Sequence, residues 1–225
     1  VRTAAGAIRV EATASINAAS VQSLGGDDAH DIELTVLGTG AEGAALTLGT
    51  LAAAGEGDIT FVASGSIEQT GDRIAADRLD IEALAGLSLT TAVRTLAVVL
   101  DMPGSLNVEN VNHDTPLTLE TIEVFSGDIT VSNDGDIEAV SVLLENDFRT
   151  EDEVFTANVI TLRTTWENGG DIIVGFISGG TYAATEAEAA TIRWEMLNAL
   201  LRPLPITGDL EGLSEQFIAE VDDPV

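Results

Sequence analysis

An all-β parallel solenoid, a stack of short strands coiled around one aliphatic core, is the fold this sequence predicts. Three observations predict it: short runs alternate apolar and polar residues, the runs recur along the chain, and the apolar set is almost wholly aliphatic. Hydrophobic residues make up 45% of the 225 residues and aromatics only 4%. Ala, Val, Ile and Leu must therefore fill the interior. Such small side chains suit narrow, regular spaces, and with abundant Gly and Thr they favour many short strands joined by turns.

The repeats run as follows. The first copy opens at Ala7-Ile8 and the second at Asp31-Ile32, where Ile32, Leu34 and Val36 alternate with Glu33 and Thr35. Period two places one face of a strand in a core. The third copy, Gly57-Asp58-Ile59-Thr60 through Ile67-Glu68, returns 70 residues later as Gly127-Asp128-Ile129-Thr130 through Ile137-Glu138. Between them, weaker copies open at Asp80-Ile81 and Ser105-Leu106, and Asp171-Ile172 opens another. The starts at 7, 31, 58, 80, 105 and 128 differ by 24, 27, 22, 25 and 23, which suits one solenoid coil. Leu117 and Leu119 against Thr118 and Glu120, and Ile160 and Leu162 against Thr161 and Arg163, keep the alternation late in the chain.

No single coil buries its inward face alone, so coils must stack and share a core. Residues 1–183 are expected to form about seven coils, a rod about 35 Å long at the spacing of neighbouring strands. The predicted ladders comprise Ile59, Ile67, Ile81, Leu89, Leu106, Ile129, Ile137 and Ile172. An antiparallel sandwich is the structural alternative, but Asn-Gly and Asp-Gly hairpin dipeptides such as Asp134-Gly135 are scarce.

Two segments break the rhythm. Glu145 to Glu153 is dense in charge and lacks alternation, so it reads as a loop leaving one coil. Residues 184–225 read as a helix and tail. Thr185 with Glu188 makes a capping box, good helix formers continue to Arg202, and Pro203 stops them. A step of about 100° per residue puts Ile192, Met196 and Leu200 on one stripe and Trp194, Leu197 and Leu201 on the next. That apolar surface is wider than one core needs. It predicts a cap on the solenoid whose remaining face joins another copy or a neighbouring module.

Charge excludes whole classes of function. The net charge is −29, the nine basic residues are all Arg, and there is no Lys. Nucleic acid and anionic membrane surfaces both require Lys and Arg against phosphate, so neither is an expected partner. No apolar run is long enough to insert in a bilayer. The absence of Cys removes disulfides, thiolate metal sites and cysteine catalysis. Catalysis is not expected. His30 and His113 stand apart, and no Arg or Lys lies between Arg94 and Arg149 to line a basic sugar groove. Trp166, Tyr182 and Trp194 have the chemistry to stack on a surface polysaccharide, although core or helix packing explains them better, because they are few and scattered. Calcium is the one cofactor the acids suggest. Its candidate ligands are Asn133, Asp134 and Asp136 at a turn, with Asp147 and Asp152 in the irregular loop. The competing reading is that these are solvated acids that keep the rod soluble.

The run from Gly57 to Val93 carries a Gly-Asp-Ile-Thr start, a Gly-Ser-Ile-Glu-Gln centre, a Leu-Asp-Ile-Glu-Ala strand and a Gly-Leu-Ser-Leu-Thr-Thr end. In these it resembles the repeats of filamentous-haemagglutinin-like adhesins and related giant bacterial surface proteins, with weaker likeness from Ala7 to Gly180. The resemblance implies a right-handed β-helix, an extracellular location at the cell surface, and a role in display, attachment or matrix. The Asn-Pro motifs of the secretion module of those adhesins have no counterpart here, nor do Gly-Gly-x-Gly-x-Asp calcium repeats.

Overall fold

The structure is a computed structural model. It describes residues 1–4, 6–25, 30–38, 44–112, 115–145, 158–165 and 170–178, and the backbone of 191–196. In chain order the strands are β1 (Arg2–Thr3), β2 (Ile8–Ala12), β3 (Ile16–Ser23), β4 (Ile32–Val36), β5 (Leu46–Ala53) and β6 (Ile59–Ala63). Then come β7 (Ile67–Gln69), β8 (Ile74–Ala75), β9 (Arg78–Ala83), β10 (Leu87–Ala92), β11 (Thr95–Leu100) and β12 (Leu106–Asn110). The last six are β13 (Leu117–Val124), β14 (Ile129–Asn133), β15 (Ile137–Leu144), β16 (Val159–Thr164), β17 (Ile172–Ser178) and β18 (Thr191–Met196).

The strands form two sheets. Sheet A has ten strands in the order β1-β3-β5-β8-β10-β12-β14-β16-β18, with β7 beside β5; sheet B has eight, in the order β17-β15-β13-β11-β9-β6-β4-β2. Partners are parallel and belong to successive coils: Ile8 lies beside Ile32, Ile32 beside Ile59, and Ile59 beside Leu79. Each coil thus gives one strand to each sheet, and the fold is a parallel β-helix. Parallel pairing demands long crossovers, and here the other half of the coil supplies them.

The core between the sheets is one cluster running from Ile8 to Ile177. All eight residues of the expected ladders are buried in it. Phe61 is fully buried among neighbours that are otherwise aliphatic. The repeat spacing is corrected. A coil takes 17 residues between Arg78 and Thr95 and 35 between Ile137 and Ile172. Ile59 sits in sheet B and Ile129 in sheet A, so the 70-residue offset spans three and a half coils. Both halves of a coil are built alike, as one strand and the turn that follows it, so the sequence signal recurs in each half.

Local chemistry shapes the cross-section. In β13, Leu117, Leu119, Ile122 and Val124 are buried while the adjacent Glu120 and Thr121 both face outward. The register with β11 slips at that point, a bulge that bends the strand around the core. At the same bend of β5, a Cβ on Gly49 would lie 1.9 Å from the Ala19 carbonyl oxygen, so only glycine fits. Gly127, with φ of 135°, supplies the turn that opens β14. Strands β7 and β8 both pair with β5 and are halves of one interrupted strand. Beside the gap, the Gln69 carboxamide stands in for a peptide group: its Oε1 accepts from the Thr90 N–H at 2.7 Å and its Nε2 donates to the Thr90 carbonyl at 3.1 Å.

Part of the segment expected to be a helix is corrected, the six residues that the structure describes. Thr191–Met196 is a strand, with Ile192 in register beside Ile160, Trp194 beside Leu162 and Met196 beside Thr164. Apolar residues at 192, 194 and 196 satisfy period two as well as a helical stripe, and the open edge of β16 offers backbone partners that an isolated helix lacks. Leu197, Leu200 and Leu201, with the rest of 185–202, lie outside the described residues. No helix among the described residues is long and apolar enough to cross a membrane.

Candidate functional site

Two columns of polar side chains run along the stack, one at the start of the strands and one at the end. The first is made by the residue just before a strand's first residue, an Ile, Leu or Val. Asp31 Oδ1 accepts the N–H of Asp58 at 3.0 Å, Asp128 Oδ1 that of Val159 at 2.9 Å, and Asp136 Oδ1 that of Asp171 at 2.9 Å. Ser15 and Ser105 hydroxyls accept from Ala45 and Asp128 in the same way, each at 3.1 Å. The carbonyls of these positions reach back one coil: Ile32 N–H donates to Asp58 O at 2.9 Å, Leu106 to Asp128 O at 2.8 Å and Ile137 to Asp171 O at 2.9 Å. An Asp before Ile therefore adds a rung to each ladder. Its carboxylate takes an N–H that would otherwise lie beyond the sheet's last bond.

The second column is internal. Asn110 and Asn133, at the ends of β12 and β14, are buried. Asn110 Oδ1 accepts from the Thr91 hydroxyl at 2.8 Å and the Val93 N–H at 2.9 Å, while its Nδ2 donates to Val93 O at 3.1 Å and Asn133 Oδ1 at 2.8 Å. Asn133 Nδ2 passes the chain on to Asp136 O at 2.7 Å, and buried Thr164 continues the column toward Gly170. Each carboxamide of this ladder has both ends occupied, the condition under which a buried polar network is stable.

The outer face of sheet B carries the described ion pairs. Arg78 Nε bonds both oxygens of Asp80, at 2.9 and 2.8 Å, and its Nη2 reaches across β11 to Glu120 two coils further on. Arg94 pairs with Asp77 at 3.2 Å, and Arg9 with Glu33 across β2 and β4 at 3.2 Å. Asp80 and Glu120 raise the already basic Arg78 further. Half-buried Asp58 has its carboxyl raised, chiefly by desolvation and then by Asp31, Asp77 and Asp80, while a hydrogen bond from the Arg78 backbone opposes the shift.

These contacts locate the expected calcium ligands. Asn133 is turned into the core with its oxygen accepting from Asn110, and the Asp136 carboxylate accepts from Asp171. Asp134 is half-buried at the turn between them, while Asp147 and Asp152 lie outside the described residues. Among the described residues, no three His, Cys, Asp or Glu side chains gather so as to hold a metal ion. His113, Trp166 and Tyr182 also lie outside the described residues. What sequence reasoning missed is the asparagine ladder. Its signal was present in Leu106-Asn107-Val108-Glu109-Asn110 and Ile129-Thr130-Val131-Ser132-Asn133, two strands of one pattern that both end in Asn. No family model, curated protein or solved structure matches the chain.

Proposed function

We propose that this chain is a non-enzymatic structural or adhesive rod of an exported bacterial surface protein, filament or matrix. In this reading it spaces or joins neighbouring modules, or copies of itself end to end. The observation that carries it is the single uninterrupted core from Ile8 to Ile177, stacked along one axis. The polar side chains that elsewhere would build a site are here spent on holding coil to coil. An acidic exterior and the resemblance of Gly57–Val93 to surface-adhesin repeats support an extracellular setting. Protease added to intact cells of the source organism should digest the chain while a cytoplasmic marker survives. Recovery of intact chain from the cytosolic fraction would overturn the reading.

A further inference from the structure

Three contacts along the stack repeat one arrangement. A Gly-Asp pair opens a coil, and its Asp N–H donates to the side chain just before a strand of the coil behind. The Asp carbonyl then accepts the first N–H of that strand. Gly57-Asp58 docks in this way on Asp31 and Ile32, with bonds of 3.0 and 2.9 Å. Gly127-Asp128 docks on Ser105 and Leu106 at 3.1 and 2.8 Å, and Gly170-Asp171 on Asp136 and Ile137 at 2.9 Å in both bonds. The same two groups recur at Asp171 and Ile172, where β17 is the last strand of sheet B among the described residues. Ile172 is in register with Ile137, so its N–H points away from β15. No described N–H donates to the Asp171 carboxylate. The outer face beside this edge is apolar: Val140 and Ile173 are 46% and 45% exposed, and Phe176 is half-buried. An open edge of this kind is a template for one more strand.

The chain carries a matching sequence. Gly208-Asp209-Leu210-Glu211-Gly212-Leu213-Ser214 repeats Gly135-Asp136-Ile137-Glu138-Ala139-Val140-Ser141, which opens β15 in the same sheet. Gly, Asp, Glu and Ser are identical, and the other three exchanges are between aliphatic or small residues. Residues 208–214 lie outside the described residues, and Gly208-Asp209 is the only Gly-Asp pair after β18. Leu210 follows Ile172 by 38 residues, against 35 from Ile137 to Ile172. The chain leaves sheet A at Met196, in register with Thr164 at the end of β16. The next turn of the helix therefore leads to sheet B. The 13 residues 197–209 can span up to about 43 Å, far more than the roughly 10 Å between packed sheets.

We propose that the free edge of β17 is a docking site for residues 208–214 of the same chain, added as one more parallel strand of sheet B. Leu210 then lies beside Ile172. Asp209 donates its N–H to the Asp171 carboxylate and accepts the Ile172 N–H, which completes the pair of bonds found at the other three contacts. Leu213 falls beside Gly175 on the outer face, next to the exposed Ile173 and to Phe176. Pairing ends at Glu215, which stands where β15 has Val142 and β17 has Ile177. A charge at that inward position stops a further coil from stacking. The segment thus closes this end of the sheet, and while it is docked a second copy cannot add its own strand to β17. The inference rests on the solenoid fold alone. Its failure leaves the proposed surface role standing, since that role is tested separately by protease.

The chain has no Cys, so an introduced pair reports the register directly. Ile173→Cys with Glu211→Cys puts two thiols on neighbouring strands, within the Cα spacing that a disulfide needs. Mild oxidation of this full-length variant should give a disulfide within one chain, while Ile173→Cys with Glu220→Cys should give little. Amide exchange provides a second reading without Cys. The Ile172 and Val174 N–H groups, which face the added strand, should exchange slowly in the wild-type chain and at least about tenfold faster in Leu210→Asp. Ile173, whose N–H faces β15, should not change. Leu210 lies beyond the core from Ile8 to Ile177, so Leu210→Asp keeps the solenoid and its circular dichroism. Failure of the 173/211 pair to oxidise, or equal yields for the two pairs, overturns the proposal. So does fast exchange at Ile172 and Val174 in the wild-type chain, or slow exchange that Leu210→Asp leaves untouched. A disulfide that links two chains would assign the edge to a second copy and likewise overturn it.

Discussion

Asp58 and Asn110 show how polar residues serve a stack of coils. Asp58 is held between an acceptor role toward the Arg78 backbone and the repulsion of Asp31, Asp77 and Asp80. Its folded-state pKa is raised, so between pH ~4 and that raised value the native state binds more protons than the unfolded chain. Stability contributed by this group therefore falls as pH rises through that window. Asp58→Asn keeps an acceptor oxygen and removes the charge, so it should melt above wild type at neutral pH, with the gap closing on acidification. Asp58→Ala loses the acceptor and should fall about 1 kcal/mol below Asp58→Asn at any pH. Melting curves across pH check both; a constant gap between wild type and Asp58→Asn would remove the charge argument. Asn110→Ala strands the Val93 N–H and the Asn133 oxygen in the core, while the Val93 carbonyl keeps its bond from Asn112. It should cost about 2–4 kcal/mol in denaturant unfolding.

At the scale of the strand, the bends decide which residues are replaceable. Eight-residue strands keep both ends in the core only by placing two consecutive residues outward, as Glu120 and Thr121 do in β13. Where coils stack tightly at such a bend, there is no room for a Cβ. Gly49→Ala would press its methyl into the Ala19 carbonyl and force the backbone of β3 and β5 apart. A loss of about 2–4 kcal/mol is expected, against less than about 0.5 kcal/mol for Thr50→Ala, its exposed neighbour. Equal melting temperatures for the two variants would mean the bend is softer than the geometry implies. The Gln69 bridge to Thr90 serves the same end by different means, joining coils where β7 and β8 leave the ladder interrupted.

The whole molecule balances a long apolar core against a charge of −29. Exposed acids on successive coils recur at about the strand spacing, well within the screening length at low salt. Its melting temperature should therefore rise as NaCl increases. At matched ionic strength, CaCl2 should add nothing through the turn at residues 133–136, because Asn133 faces the core and Asp136 is engaged with Asp171. A calcium-specific rise that is abolished by Asp134→Asn would contradict this. One abolished instead by Asp147→Asn with Asp152→Asn would place the ion in the segment between β15 and β16.

The strands and their inward faces were legible in the sequence because burial on one side of a strand is written every second residue, as in Ile32-Glu33-Leu34 or Leu106-Asn107-Val108. Stacking was legible too, since no such strand can bury its face without a neighbour. Coil phase was not: two halves of one coil carry the same local pattern, so Ile59 and Ile129 look equivalent and yet lie in opposite sheets. The segment around Ile192 fits two periodicities, and the unpaired edge of β16 selected the strand. The tertiary structure alone assigned the acids and amides their work. Whether Asp128 or Asn133 faces solvent, a metal or the next coil depends on which N–H lies a few ångströms away, and in a solenoid that N–H comes from about 20 to 35 residues along the chain.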